Sequence, residues 1–266
     1  MSQKLRVCSV DYLNSAPLVW GMLHGPQQGV FDLIFRVPSI CAEMVASGAV
    51  HIGNIPVIEY ARQSLTLAPG VGVASHGPVR SILLVSKCPL PRIRTLAADS
   101  SSRTSVALAR IILARRYGVE PLFAAHRPDL EAMLETADAA LLIGDPALRL
   151  DPQALPYHVA DLGQEWSEMT GLPMVFAVWA GRAGHISDAV CEAFMASCRY
   201  GRERLEEVVR QESAARSIPG DLARRYLTHH IVNELGPRDY EGLNLYLRYA
   251  RELEIVCEMP PSLSSS

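Results

Sequence analysis

Four short segments gather hydroxyl, amide and carboxylate side chains where an apolar run hands over to a helical pattern. The first is Asp11-Tyr12-Leu13-Asn14-Ser15-Ala16-Pro17, whose small polar groups precede the free N–H groups of a helix start. Asn14 can donate to and accept from a ligand hydroxyl there. Equally, Asn14 or Ser15 can cap the helix, and residue type alone favours the cap. The second is Asp99-Ser100-Ser101-Ser102-Arg103-Thr104-Ser105, where hydroxyls, backbone N–H groups and the positive end of a helix dipole suit a carboxylate or phosphate. The dipole contributes roughly 0.3–1 kcal/mol, so the hydroxyls and N–H groups must supply most of the binding. An N-cap is the alternative, although three serines followed by Arg and Thr exceed what a cap needs. The third is Ile143-Gly144-Asp145-Pro146, in which Asp145 either faces a cleft or, more simply, caps the helix opened by Pro146. The fourth is Gly53-Asn54-Ile55-Pro56, followed by Glu59-Tyr60, with Glu59 expected in solvent on the outer helix face.

Several chemistries find no residues to carry them. No Walker loop, G-x-S-x-G elbow or H-E-x-x-H is present. Gly70-Val71-Gly72 follows a proline and lacks a third glycine, a weak match to a dinucleotide loop. His229 and His230 are adjacent, so they cannot share one helix face for a metal. Cys8, Cys41, Cys88, Cys191, Cys198 and Cys257 show no C-x-x-C and no histidine at ligand spacing. No cofactor and no metal are therefore expected, and the cysteines read as reduced thiols in a cytoplasmic protein. The polar segments are rich in hydroxyls and amides and poor in bases.

The elements that must position these groups alternate short apolar runs with helical periodicity, which points to an α/β fold. Strands are expected at 4–10, 31–37, 50–55, 79–86, 94–98, 121–125, 138–143, 157–160 and 174–180. Pro17 opens a helix to about His24, Ser39 caps one through Ser47 with Gly48 as its stop, and Pro56 opens another. A helix over 103–117 ends at Gly118. Beyond residue 184 the pattern is strand-free, with one long helix from Val190 to Val208 and others at 220–233 and 237–253. The extended runs 79–86 and 174–180 bracket a βα-rich middle. This suggests two lobes joined by two crossing strands: 1–86 with 181–266, and an inserted lobe at 87–180. Ligands of such proteins sit in the cleft.

The 266 residues are 49% hydrophobic and 20% charged, enough apolar surface to build a core and exclude a disordered chain. A net charge of −3 gives no field to draw nucleic acid or a membrane surface, and no apolar run reaches the length of a membrane span. The N-terminal residues read as a strand rather than a secretory signal, and the polar tail 260–266 is expected to fray.

Seven ordered blocks resemble the chorismate dehydratases of the futalosine route to menaquinone. They are VDYLNSAPLVWG at 10–21, PSICAEMVASG at 38–48, IGNIPVIEY at 52–60, RSILLVSK at 80–87, DSSSRTSVALARIIL at 99–113, ALLIGDPAL at 140–148 and DLGQEWSEMTGLPMVFAVWA at 161–180. Asp11 and Asn54 depart from the family pattern, which has Ser or Gly and an apolar residue there. The resemblance implies a type II periplasmic-binding-protein fold with two hinge-crossing strands and C-terminal helices. It also implies that chorismate, the small-molecule partner, loses water to give 3-[(1-carboxyvinyl)oxy]benzoate, the substrate's own side-chain carboxylate taking the ring proton. Asn14 would hold the departing hydroxyl or the side-chain carboxylate. Ser81, Ser102, Thr104 and Ser105 would bind carboxylates, with Tyr12, Ser15, Ile55, Arg103, Gly144 and Asp145 completing the substrate site. Alternatives are the 1,4-dihydroxy-6-naphthoate synthase of the same pathway and a small-carboxylate binding protein.

Overall fold

Residues 4–99 and 101–256 are described by the computed structural model; Ser100, Cys257 and the tail 260–266 lie outside the described residues. The first part of the chain runs β1 (Arg6–Val10), α1 (Ala16–His24), β2 (Asp32–Arg36), α2 (Pro38–Ser47), β3 (Ile52–Pro56), α3 (Val57–Arg62) and β4 (Thr66–Ser75). The middle comprises β5 (Ile82–Ser86), β6 (Thr95–Asp99), α4 (Arg103–Tyr117), β7 (Leu122–His126), α5 (Leu130–Thr136), β8 (Ala139–Ile143), α6 (Gly144–Arg149), β9 (His158–Asp161) and α7 (Leu162–Thr170). The chain continues with β10 (Met174–Gly181), α8 (Asp188–Glu203), α9 (Leu205–Arg216), α10 (Gly220–Arg225), a π-helical turn at Tyr226–His230, β11 (Val232–Glu234) and α11 (Pro237–Glu252). None of these helices is long and apolar enough to cross a membrane.

The strands pair into two sheets of like design, ordered β11-β4-β10-β3-β1-β2 and β7-β6-β8-β5-β9. In each sheet the neighbouring strands β1, β2 and β3, or β6, β7 and β8, run parallel. Next to them β10 or β5 is antiparallel to both its neighbours, and in the first sheet β4 is as well. Strands covered on both faces read as unbroken apolar runs, and every residue of β5, β8 and β10 is buried. The nine expected strands all form, their ends displaced by at most three residues. The runs at 79–86 and 174–180 become β5 and β10, and each pairs within a single sheet. The chain passes between sheets just before each, at 76–81 and 171–173.

Alternate residues of the second sheet face different cores. Leu84, Leu96, Leu141 and Ile143 join the main hydrophobic cluster, which also holds the interior of the first sheet. Leu83, Val85, Ala97 and Leu142 turn to a smaller cluster under α5 and α6. The two sheets thus share one continuous core through α4, α7 and α11.

Several local expectations are corrected. Strand β4 was not anticipated, because Pro69-Gly70 reads as a turn; instead the register against β10 shifts there, with Val178 opposite Gly72 and Trp179 opposite Ala68. Gly70 takes φ +90°, and a Cβ on Gly72 would lie 2.6 Å from the Ala177 carbonyl, so both glycines serve the sheet and form no dinucleotide loop. The C-terminal region is not strand-free: β11 pairs with β4, and the helix expected at 220–233 stops at Arg225 and passes through the π turn. The long helix breaks at Arg204, whose φ of −114° and ψ of 31° are not helical. Ser39 is no cap, since α2 starts one residue earlier, at Pro38, with Val37 as its N-cap. Glu59 is buried rather than solvated, and it pairs with Arg62 (2.8 Å) and Arg103 (3.2 Å).

Candidate active site

The cleft lies where β1, β3 and β8 end and α4 begins, between the two sheets. It encloses about 460 Å³ out to its mouth, but water-molecule centres can reach only about 50 Å³ of that. Of the eleven expected site residues, eight line it: Tyr12, Asn14, Ser15, Ser81, Ser102, Thr104, Ser105 and Gly144. Ile55 does not, being fully buried in β3. Arg103 does not either, because its guanidinium turns away to Glu43 and Glu59. Asp145 is the third exception, for reasons given below.

One wall is the single 3-10 turn Leu13–Ser15, which feeds α1. Neither Asn14 nor Ser15 caps that helix by its side chain. Asn14 Oδ1 instead accepts from the Ser15 hydroxyl (3.1 Å). Its backbone carbonyl accepts from Asn233 Nδ2 (3.1 Å), which also donates to the Gly72 carbonyl (2.9 Å). Tyr12 lays its ring on Gly144, where a Cβ would lie 2.8 Å from the ring atoms. The Tyr12 hydroxyl meets Ser101 Oγ at 3.3 Å, and burial pushes its pKa up to about 12.

The facing wall is the start of α4. Ser102 is its N-cap residue, yet makes no side-chain cap hydrogen bond. The Thr104 hydroxyl donates to the Phe176 carbonyl (3.1 Å), and the Tyr246 hydroxyl donates to the Thr104 carbonyl (3.0 Å), tying this helix start to β10 and α11. The proton of Thr104 is therefore committed to the fold. Ser81 lies beside this wall and receives the Tyr226 hydroxyl at 2.7 Å. Behind it, Asp99 Oδ1 accepts from the Ser101 amide (2.9 Å) and hydroxyl (2.7 Å). Asp99 Oδ2 is buried with no partner among the described residues, and desolvation raises the Asp99 pKa.

Asp145 was read as a helix cap or a cleft residue, and it is neither. α6 begins at Gly144, placing Asp145 inside the first turn. Its carboxylate accepts the Leu13 N–H (3.0 Å) and pairs with Arg216 (2.9 Å). Arg216 also holds Asp11 (2.9 Å) and Glu212 (2.8 Å). Burial alone would lower the Arg216 pKa; these three carboxylates outweigh it and raise it. The departure at Asp11 thus joins a clamp between the segment at 11–13 and α6. Tyr226, Asn233 and Arg216 escaped the sequence reading because each reaches a partner many tens of residues away. Amphipathic spacing in the C-terminal helices carries no sign of that.

Among the described residues, the cleft wall presents no carboxylate, imidazole, amine or guanidinium, and Tyr12 is its one ionisable side chain. Five helices have their cap or first-turn residues on this wall: α1, α2, α3, α4 and α6, and none carries a side-chain cap. Such a surface can hold anions on hydroxyls and N–H groups. It supplies no strong base.

Comparison with known proteins follows the same lines. A family model described as menaquinone biosynthesis matches residues 5–252. The chorismate dehydratase of Thermus thermophilus is 33% identical over 234 residues, covering 81% of this chain and 84% of that one. A structure from Archaeoglobus fulgidus superposes with a TM-score of 0.77 at 20% identity, over 96% of this chain and 99% of the other. The alkanesulfonate-binding protein of Xanthomonas axonopodis pv. citri gives 0.70 at 14% identity, over 99% and 98%. The latter two share the two-lobe periplasmic-binding-protein fold with this chain. With its sequence matched almost end to end, the chain belongs to the menaquinone-biosynthesis family.

Proposed function

We propose that the cleft binds chorismate and eliminates water from it, giving 3-[(1-carboxyvinyl)oxy]benzoate. The C3–H bond breaks, its electron pair forms the C3–C4 double bond, and the C4 hydroxyl leaves with the proton as water. Aromatisation drives the reaction, so the protein's task is to orient the dianion and stabilise the leaving hydroxyl. The observation that carries this reading is a wall without a base. With Tyr12 protonated up to about pH 12, the proton acceptor is the side-chain carboxylate of the substrate itself. Asn14 steadies that carboxylate or the departing hydroxyl, while Ser81, Ser102 and Ser105, with the start of α4, seat the carboxylates.

The lobes of this reading are residues 1–86 with 181–266 and residues 87–180, adjusted so that β5 moves with the second sheet and β10 with the first. The water-accessible part of the cleft is far smaller than a usual ligand pocket of roughly 300–1,000 Å³. Substrate therefore enters by separation of Tyr12 from Gly144 and release of the Asp145–Arg216 clamp, with pivots at 76–81 and 171–173. The enzyme works in the cytoplasm, whose reducing conditions suit the free thiols Cys8, Cys41, Cys88, Cys191 and Cys198.

Purified protein incubated with chorismate and followed by proton NMR and mass spectrometry tests the reaction. New aromatic protons in a product one water lighter are expected, with the enolpyruvyl ether intact. Unchanged chorismate, or release of pyruvate, overturns the reading. Chorismate that binds without turnover would point to a small-carboxylate binding protein.

A further inference from the structure

We propose that Tyr226 is a positioning residue for this elimination: by donating its hydroxyl to Ser81 Oγ, it turns the Ser81 proton into the cleft. The inference rests on the dehydratase reading and adds to it a residue that does not itself line the cleft.

Tyr226 is 1% exposed, and its hydroxyl lies 2.7 Å from Ser81 Oγ. A phenol is the stronger acid of the pair, so it donates and the serine accepts. Ser81 has a single proton, and with an oxygen lone pair occupied by Tyr226 that proton is free for a ligand at the wall it lines. A directed chain results, from the Tyr226 hydroxyl to the Ser81 hydroxyl to substrate, and the first bond polarises the second. Desolvation raises the Tyr226 pKa, which keeps the phenol a donor.

The backbone around Tyr226 fits this role. It opens the π-helical turn Tyr226–His230, an arrangement frequent at functional sites. The strand that follows supplies Asn233, which fixes the Asn14 carbonyl. One C-terminal segment thus grips both wall residues, Ser81 by its side chain and Asn14 by its backbone carbonyl. A buried tyrosine also needs a partner merely to satisfy its hydroxyl. The two explanations differ in how mutations combine.

The test is a double-mutant cycle on chorismate turnover with Tyr226→Phe, Ser81→Ala and both together. Tyr226→Phe should keep KM within about twofold of wild type and lose roughly 10–100-fold in kcat, as residues that orient a site group do. The double variant should be no slower than Ser81→Ala alone. Losses that multiply, or a wild-type kcat for Tyr226→Phe, overturn the inference while leaving the dehydratase reading standing. No turnover by wild type in the same assay overturns both. Should Tyr226→Phe fail to fold, 3,5-difluorotyrosine at position 226 keeps the shape with a more acidic phenol. Its kcat should then fall with rising pH where wild type is flat, and a flat profile there also overturns the inference.

Discussion

Helices that start at the cleft differ from helices that start elsewhere. α1, α2, α3, α4 and α6 present their starts to the cleft without a side-chain cap. Away from it, Asp129 caps α5, Asp161 caps α7 by accepting from Gly163 and Gln164, and Ser187 caps α8. At α11 the Asp239 carboxylate reaches back to the Gly236 N–H (2.8 Å). Only α9, which continues from the break at Arg204, and α10, which starts after Pro219, are uncapped at a distance. A missing cap costs about 0.5–2 kcal/mol, so a protein that caps well elsewhere has left side-chain caps off the helix starts that face the cleft, although the first N–H of α6, at Gly144, is taken by the Ser81 carbonyl (2.8 Å). With no cation among the described residues of the wall, the uncapped helix starts and the hydroxyls are the source of positive potential they offer.

The sharpest way to break this comparison is at Asn14. A cap would tolerate Asn14→Asp, because aspartate caps about as well as asparagine. A residue facing two carboxylates would not: the change removes the amide donor and adds a negative charge. Turnover of chorismate by Asn14→Asp should fall by roughly 100-fold or more, while its melting temperature stays near that of wild type. Near wild-type turnover would make Asn14 a structural residue and remove it from the mechanism.

A matched pair sharpens the same contrast. Ser102 and Asp129 are both N-cap residues, but only Asp129 uses its side chain, accepting from the Ala132 N–H at 3.2 Å. Asp129→Ala should cost about 0.5–2 kcal/mol of stability and leave turnover alone. Ser102→Ala should do the reverse, raising KM for chorismate several-fold with stability within about 0.5 kcal/mol of wild type. Denaturant unfolding and steady-state kinetics on the two variants decide it. If both lose stability alike, the open helix starts are an accident of side-chain placement.

The fold was largely legible because doubly covered strands announce themselves as apolar runs. ILLVS in β5 and MVFAVWAG in β10 admit no helical period. What escaped is what local signals contradict. Pro69-Gly70 spells a turn inside a ten-residue strand, and β11 has three residues, too few for a pattern. The wall residues were legible as polar clusters between strand and helix. Their supports were not, since Tyr226 lies 145 residues from Ser81 and Asn233 lies 219 from Asn14. Helix caps misled at Ser39 and Asp145 for one reason. Residue type favours a cap at each, but both helices begin two residues earlier than that cap requires.

The smallest expected effect concerns the acid behind the open start of α4. Asp99 is 1% exposed, and only one of its carboxylate oxygens has partners. Burial raises its pKa in the folded protein above the roughly 3.9 of an unfolded chain. Between those two values the folded state holds more protons than the unfolded state. Stability therefore declines as pH rises through that window, and the penalty persists above it. Asparagine at this position keeps the Oδ1 acceptor for Ser101 and cannot ionise. The difference in melting temperature between Asp99→Asn and wild type should thus shift in the variant's favour from about pH 4 to neutral pH, by a few degrees at most. Turnover should change little, because a neutral group behind α4 does not oppose the substrate's carboxylates. If the variant instead loses stability at neutral pH and gains none relative to acid, the two Ser101 hydrogen bonds outweigh burial and hold the Asp99 carboxyl at or below its ordinary pKa.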